Sequence, residues 1–434
     1  MGYTQVFEKE LFRTTLFEFD YEAPHVQPTL AHVEGGTLYL HSGPNAGDRE
    51  YFNIDDTNET FILSGSGGHV NVEFEDWYLS YDGVTRVVAD MGAGDDTFDA
   101  TRLSGVVVEV DGGDGKDKLY TGSAGGTLRG GPGADQLYGK QGQDTLIGGP
   151  GEDRLDSGDG DDRLDGGDDN DNLSGGAGND TYVFVDGWGV DRFGDTLGDS
   201  AFDFSLVHVA LEATLSARGL EVFDSSDNRL RASRTLFTSV VLGSGADQIY
   251  MKDFPERNVT VNGGGGDDYY RVTLGKAESQ KAAGRYNIAD KGGSFDNLVV
   301  EQTRSGDRVT LDSYSLANGR ESLGWSTDIE RLTLIGKGAQ FDHEEIIDFG
   351  GQVAYQPAAG KTSVDLKTTE LRVIASELVV SHDLKAKDLI LETFKSLNIA
   401  HRLNAGFNGY IDARVYNDNT SIRIAADVLG SAGD

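Results

Sequence analysis

Apolar residues along this chain come in short alternating runs, and each run is bounded by glycine, aspartate or asparagine within a few residues. Examples are Thr37–Leu40, Val70–Phe74 and Val106–Val110. Alternation over such short runs, with turn residues on both sides, is typical of short β-strands. Similar runs continue past Phe349, and most follow one another too closely to leave room for helices. The pattern therefore predicts an all-β chain.

A strict repeat of nine residues occupies Gly112–Val183. Position 6 of the repeat is aspartate in seven of the eight blocks, and position 8 is leucine or tyrosine in all of them. No insertion or deletion interrupts the register, which a merely glycine-rich linker would not keep. The blocks read GGDGKDKLY, TGSAGGTLR, GGPGADQLY, GKQGQDTLI, GGPGEDRLD, SGDGDDRLD, GGDDNDNLS and GGAGNDTYV.

Each block divides into a turn and a very short strand. Glycine at positions 2 and 4 permits the strained backbone that directs carbonyl oxygens inward, and Asp169 replaces one position-4 glycine. Position 6 adds a carboxylate, and Ca²⁺ prefers six to eight oxygens from carboxylates and carbonyls at about 2.3–2.6 Å. Positions 7 to 9 form the strand, whose middle residue is predicted to point inward. These inward residues are Leu119, Leu128, Leu137, Leu146, Leu155, Leu164, Leu173 and Tyr182.

The block GGxGxDxUx resembles the calcium-binding nonapeptide of the RTX (repeats-in-toxin, hemolysin-type) family. The resemblance implies a parallel β-roll or β-solenoid in which two nonapeptides make one coil. It also implies Ca²⁺ ions between stacked turns, held by carbonyl oxygens and position-6 aspartates. One edge would carry Asp117, Asp135, Asp153 and Asp171, and the opposite edge Asp144, Asp162 and Asp180. Gly126 stands where that second edge lacks a carboxylate, so its site is expected to be empty or weak unless Gly126→Asp restores it.

Isolated copies of the block flank the repeat and add Asp96, Asp247 and Asp268 as candidate calcium ligands. The first copy and the repeat are offset by 21 residues, and so are the two later copies, which suggests one coil plus a three-residue bulge. The alternative for these aspartates is an ordinary turn residue that caps its own backbone. A degenerate copy contains Asp296, which is expected to be structural rather than a ligand.

The repeats divide the chain into four regions. We expect a β-rich N-terminal region at 1–88, the calcium-binding β-roll at 89–183 and a degenerate RTX-like β region at 184–348. The last region, 349–434, lacks the aspartate pattern and is predicted to be a calcium-free β-solenoid, with a β-sandwich as the alternative.

Composition narrows the classes of partner and site. The formal net charge of −36 makes a compact fold repel itself unless cations neutralise it, and it argues against a nucleic-acid partner. The absence of cysteine excludes disulfides and thiolate metal sites. No apolar run approaches the roughly 18 residues of a membrane span. Met1–Phe19 does not resemble a signal peptide, so export is expected by a non-classical or type I route, or the chain is a piece of a longer protein.

No catalytic motif was found, and the chain is expected not to be an enzyme. It lacks a GxSxG elbow, and the run His343–Ile347 has isoleucine where a zinc protease needs its second histidine. The expected function is that of an extracellular or cell-surface structural or adhesin-type module, with calcium ions and then a glycan or matrix protein as partners. The alternatives are the carrier part of a secreted exoenzyme, or a β-helical polysaccharide lyase or epimerase that uses Tyr269–Arg271 beside Asp267 and Asp268.

Overall fold

The computed structural model describes residues 30–43, 58–75, 77–194, 197–216, 218–233, 237–252, 257–274, 284–290, 292–293 and 296–302, followed by strand segments between 308 and 424. Every regular element in these residues is a β-strand, which confirms the expected all-β fold. None of the described residues forms a helix that is long and apolar enough to cross a membrane. The chain forms two compact units, Met1–Phe202 and Asp203–Asp434.

The first unit contains two sheets. Its strands are β1 (Ala31–Glu34), β2 (Thr37–Leu40), β3 (Thr60–Ser66), β4 (His69–Phe74), β5 (Trp77–Tyr81), β6 (Arg86–Asp90), β7 (Thr97–Ser104), β8 (Val107–Asp111), β9 (Lys118–Tyr120), β10 (Gly126–Arg129), β11 (Gln136–Tyr138), β12 (Asp144–Pro150), β13 (Arg154–Asp156), β14 (Arg163–Asp168), β15 (Asn172–Ser174), β16 (Thr181–Val185) and β17 (Arg192–Gly194). One sheet has the order β1-β2-β6-β8-β10-β12-β14-β16, and the other β17-β15-β13-β11-β9-β7-β3-β4-β5. Strand β18 (Ser200–Leu206) contains the boundary between the units.

The nonapeptides form a parallel β-roll with two blocks per coil, as expected. Gln136 pairs with Arg154 in one sheet and Thr145 pairs with Arg163 in the other, so each coil advances by 18 residues. Strands β9, β11, β13 and β15 belong to one sheet, and β10, β12, β14 and β16 to the opposite one. Successive blocks therefore alternate between sheets, and every turn stacks on the turn two blocks earlier.

The core of the roll is a column with one large apolar side chain per block. All eight position-8 side chains, from Leu119 to Tyr182, are buried. At its end the aliphatic column becomes aromatic: the ring of Tyr182 lies 5.4 Å from that of Phe202 and 5.5 Å from that of Phe193, measured between centroids. The column is narrow, because a short strand offers only one inward side chain.

The turns leave no room for side chains at their glycines. Gly151 and Gly178 have φ angles of 139° and 138°, and a Cβ on either would overlap the carbonyl oxygen of the turn stacked on it. Asp169 occupies the equivalent position in its block with φ of 79°, which aspartate tolerates better than most residues. The turns therefore stack backbone on backbone.

The second unit is built mainly from stacked parallel strands, with some antiparallel pairs among them. Its strands are β19 (Glu212–Ser216), β20 (Gly219–Phe223), β21 (Arg229–Ser233), β22 (Phe237–Val241), β23 (Gln248–Met251), β24 (Val259–Asn262), β25 (Tyr269–Leu274), β26 (Arg285–Ile288), β27 (Asn297–Gln302), β28 (Arg308–Asp312), β29 (Ser315–Asn318), β30 (Glu321–Trp325), β31 (Arg331–Gly336), β32 (Gln340–His343), β33 (Ile347–Pro357), β34 (Ser363–Asp365), β35 (Glu370–Val380), β36 (Asp383–Ala386), β37 (Asp388–Ile399), β38 (Leu403–Ala405), β39 (Ile411–Val415) and β40 (Ile422–Ile424).

Coils in the second unit vary more in length than those of the roll. Gln248 pairs with Tyr269 after 21 residues, and Tyr269 pairs with Asn297 after 28. One sheet has the order β21-β20-β19-β23-β25-β27-β31-β33-β35-β37-β39, with β40 also beside β37, and a second runs β22-β24-β26-β30-β29-β28-β32. Strands β34, β36 and β38 form a third sheet. The parallel order continues through the tail, as expected for a solenoid.

The leucine column predicts a large effect for a single truncation. Leu155→Ala should lower the free energy of unfolding of the calcium-loaded roll by about 2–5 kcal/mol, because a fully buried side chain leaves a cavity in a column one residue wide. Urea denaturation followed by circular dichroism in saturating calcium measures this. Arg154→Ala, at an exposed position of the same strand, is the control and should change stability by less than about 1 kcal/mol. Equal losses in the two variants would contradict the column.

Candidate metal centre

The position-6 aspartates of the first edge form one continuous stack. The backbone N–H of Asp117 donates to Oδ1 of Asp135 at 2.7 Å, and that of Asp135 donates to Oδ1 of Asp153 at 2.7 Å. Asp153 donates in the same way to Asp171 at 2.8 Å. Each carboxylate therefore reaches back to the turn before it, and the four predicted residues of this edge lie together.

The opposite edge repeats the arrangement with three aspartates. Asp144 donates its N–H to Oδ1 of Asp162 at 2.8 Å, and Asp162 donates to Oδ1 of Asp180 at 3.0 Å. The register places Gly126 beside Asp144, as predicted, but a Cβ on Gly126 would lie only 2.5 Å from the carbonyl oxygen of Val108. An aspartate at 126 would have to displace the adjacent strand. We therefore no longer expect Gly126→Asp by itself to add a calcium site.

The first stack extends beyond the strict repeat in both directions. Asp96 donates its N–H to Oδ1 of Asp117 at 2.8 Å, which places this predicted residue in the stack. At the other end, Asp171 donates to Oδ1 of Asp191 at 2.9 Å. Sequence reasoning missed Asp191 because its offset from Asp171 is 20 residues instead of 18; the remaining signal is the apolar Phe193 two positions later, where a block has its inward residue.

The second unit has a stack of its own. Asp247 donates its N–H to Oδ1 of Asp268 at 2.8 Å, and Asp268 donates to Oδ1 of Asp296 at 2.8 Å. Asp247 in turn accepts the N–H of Leu211 at 2.7 Å. Asp296 was expected to be only structural, yet it occupies the same kind of position as the two predicted candidates. The 28-residue coil that precedes it hid this relation.

One carboxylate oxygen in most of these residues has no hydrogen-bond donor although it is buried. The residues in which this holds include Asp117, Asp135, Asp153, Asp171, Asp144, Asp162, Asp247 and Asp268. Burying a polar oxygen without a partner is costly, and burying a carboxylate in this way is more so. In Asp135 and Asp153 this oxygen lies beside the first glycine of the same block. A Cβ on Gly130 or Gly148 would therefore overlap the carboxylate. Buried carboxylate oxygens of this kind fit a hard cation such as Ca²⁺.

Electrostatics within the stack oppose the charged form. Burial, followed by the neighbouring carboxylates, raises the pKa of Asp153 from 3.8 to about 8. The same causes raise the pKa of Asp117 and of Asp171 to about 7, and that of Asp268 to about 8. Hydrogen bonds from the stacked backbone N–H groups counter the shift only in part. A bound cation would stabilise the charged carboxylates and so oppose the rise in their pKa values.

Comparison with known families agrees with this geometry. The model of the RTX calcium-binding nonapeptide repeat (4 copies) matches residues 111–146, 147–182 and 256–275. The chain carries RTX calcium-binding repeats. The first two matches contain both aspartate edges of the roll, and the third contains Asp268 of the second unit. The predicted RTX resemblance is thus confirmed, and with it a Ca²⁺-binding β-roll. No curated protein matches the chain significantly.

The raised pKa values of the RTX aspartates predict that the calcium-free fold becomes less stable as the pH rises. The calcium-free fold binds more protons than the unfolded chain between about pH 4 and 8, because its aspartates protonate more easily than unfolded ones. Its free energy of unfolding therefore falls as the pH rises through this window. We expect metal-free protein to hold more β-structure at pH 5 than at pH 8, and calcium binding to release protons.

Circular dichroism of the metal-free protein across this pH range tests the first point, and calorimetry in buffers of different ionisation enthalpy tests the second. With saturating calcium the β-content should be the same at pH 6 and pH 8. Loss of metal-free β-structure on acidification would show that these carboxylates are not neutralised by protons in the fold.

Proposed function

We propose that this protein is an extracellular structural or adhesin-type module whose β-roll folds when Ca²⁺ binds. The observation that carries the proposal is the stack of buried position-6 aspartates, in which one oxygen is used by a backbone N–H and the other has no donor. A cation placed along the stack would satisfy these oxygens. Carbonyl oxygens of the glycine turns are the further ligands that Ca²⁺ would use.

Folding without the ion is opposed by both entropy and charge. The strict repeat contains 21 glycines, whose ordering is costly, and it buries one position-8 side chain per nine residues. The chain has a formal net charge of −36, and the stacked carboxylates repel one another. Calcium is scarce inside cells and plentiful outside, so a fold that depends on it would form after export. This supports an extracellular location.

The proposal predicts that a single carboxylate of the aspartate stack has a large effect on calcium-dependent folding. Asp153→Asn in the full chain should raise the calcium concentration at the folding midpoint about ten-fold, because the buried ligand loses its charge while keeping its size. Asp159→Asn is the matched control: it removes an exposed aspartate of the next turn and should leave the midpoint almost unchanged.

A calcium titration followed by circular dichroism compares the two variants with the native chain. Equal β-content in the presence of chelator and of millimolar calcium would refute calcium-dependent folding. A midpoint that Asp153→Asn leaves in place would refute its ligand role.

A second candidate function, glycan binding, is favoured by an aromatic and cationic face of the second unit. The rings of Tyr250 and Tyr269 meet edge to face at 6.4 Å between centroids, and Nζ of Lys252 lies 5.6 Å from the Tyr250 ring centroid. Tyr250, Lys252 and Arg271 also line a shallow concavity of about 270 Å³, together with Glu212 and Thr273. Aromatic rings beside a cation suit an acidic polysaccharide, because sugar C–H groups pack on the rings and a sugar carboxylate can pair with Lys252.

The same geometry weakens the lyase or epimerase alternative. Tyr270 and Asp268, which that alternative placed beside Tyr269 and Arg271, are buried and face the interior. Arg271 is also paired with Glu301 at 2.6 Å. The sequence cluster is therefore split between two faces of one strand, and only its outer half can meet a glycan.

Glycan binding predicts that Tyr250→Ala weakens retention on an acidic polysaccharide in calcium-containing buffer at least five-fold. Tyr78→Ala removes an exposed tyrosine of the first unit and serves as the control. Affinity electrophoresis in gels containing alginate or pectate measures the retention. No retardation of the native chain would dispose of this candidate function and leave calcium-dependent folding untouched.

A further inference from the structure

Three buried carboxylates converge in the second unit, and only one of them belongs to the matched repeat segments. Asp268 precedes β25, Asp290 follows β26 and Asp296 precedes β27. An oxygen from each lies within 4.8 Å of an oxygen of the other two. The exposed fractions are 1% for Asp268 and 0% for the other two. This arrangement concentrates negative charge in a place that water does not reach.

Two of the three carboxylates are neighbours in the aspartate stack, but the third is not. Asp268 and Asp296 end successive turns and are joined by the 2.8 Å hydrogen bond of the stack. Asp290 comes at the start of the turn that Asp296 ends, immediately before position 1 of its block. The residue at this position is aspartate before some blocks of the roll, as at Asp156 and Asp165, and a different residue before others, so the nonapeptide pattern does not require a carboxylate there. Among the described residues, Asp290 is the one that joins two stacked aspartates in a group of three carboxylates with oxygens within 4.8 Å.

Tyr270 holds Asp290 in the cluster. Its hydroxyl donates to Oδ2 of Asp290 at 2.6 Å and accepts the N–H of Gly263 at 2.7 Å. Tyr182 occupies the same place in its block and also accepts a glycine N–H, at 2.9 Å, but its hydroxyl donates to the carbonyl oxygen of Gly194. Both units therefore have a tyrosine whose hydroxyl binds the turn, but in the second unit this hydroxyl donates to a carboxylate.

Some carboxylate oxygens of the cluster accept hydrogen bonds, but one fully buried oxygen accepts none. Oδ1 of Asp268 accepts the N–H of Asp247, and Oδ1 of Asp290 accepts that of Gly292 at 3.2 Å. Oδ2 of Asp268 is buried and accepts no hydrogen bond. A buried carboxylate oxygen that lacks a donor and lies beside two further carboxylates calls for a cation.

We propose that Asp268, Asp290 and Asp296 form a three-carboxylate Ca²⁺ site in the second unit, with Tyr270 as the residue that positions Asp290. The donors are oxygens alone, which hard cations prefer. Mg²⁺ keeps several waters, for which carboxylates that are almost fully buried leave little room, whereas Ca²⁺ accepts a shell of protein oxygens. The glycine turns add carbonyls: that of Gly264 is so close to Gly292 that no side chain fits between them.

The site goes beyond the proposed function of the roll, because its third ligand lies outside the nonapeptide and its residues belong to the other unit. A third carboxylate raises the ligand charge, on which calcium affinity depends. The ion would fasten the coil of β25 to that of β27, across the 28-residue interval in which the strict repeat is lost. It would thus stabilise a part of the fold in which the coil length is no longer constant.

The test is a count of tightly bound calcium in the full chain by equilibrium dialysis, with isothermal calorimetry for affinities. Asp290→Asn keeps an oxygen to accept from Tyr270 but removes the charge, and it should bind one ion fewer than the native chain. Asp224→Asn is the matched control, since Asp224 is a buried aspartate of the β20–β21 hairpin that accepts the N–H of Ser226 at 2.7 Å. The control should leave the count unchanged.

Tyr270→Phe provides a second variant that keeps the buried ring. It should preserve the count and weaken one site about ten-fold, as expected when a residue that orients a ligand is lost. An unchanged count in Asp290→Asn would overturn the proposal, because the stacked pair would then bind the ion alone. If that variant fails to fold in calcium, unchanged affinities in Tyr270→Phe would overturn it instead. The ions of the roll remain in both variants, so failure here is distinct from failure of calcium-dependent folding at 112–183.

Discussion

The hydrogen bond from the backbone N–H of one aspartate to the carboxylate of the next turn organises this molecule. It recurs at 2.7–3.0 Å along both edges of the roll and again in the second unit. It orients each carboxylate along the stack and uses one oxygen, which leaves the other buried and available to a cation. The rest of the turn is arranged around this contact, including the position-1 glycine that has no space for a side chain.

Stacking at this contact places buried negative charges close together, and a bound cation can neutralise them. Each added coil brings two more carboxylates into a region of low solvent access, where like charges repel strongly. The raised pKa values of Asp117, Asp153 and Asp171 express this, with burial as the largest cause. The apolar column offsets little of this electrostatic cost, because each block adds only one large buried apolar side chain. Ion binding and folding are therefore physically coupled in the roll.

The second unit uses the same contact under looser geometry. The two coils that separate Asp247, Asp268 and Asp296 have 21 and 28 residues instead of 18, and the stack of these aspartates is kept. The strands that begin directly after these aspartates keep their parallel pairing. In this unit Asp290 also joins two stacked aspartates, Asp268 and Asp296, in one group of three carboxylates.

The sequence by itself determined the roll. The nine-residue repeat, its inward Leu119–Tyr182 column and its position-6 aspartates follow from turn glycines and strand alternation, which are local properties. The 18-residue coil and its two aspartate edges were implied by the resemblance to RTX repeats. The tertiary structure decided which residues outside the strict repeat join the stacks. Asp191 and Asp296 follow coils of irregular length, so no fixed spacing marks them. Gly126 is confined by the carbonyl oxygen of Val108, and Asp290 meets Asp268 only because two coils stack. Contacts between coils depend on strand pairing, and spacing along the chain reveals pairing only while the repeat length stays constant.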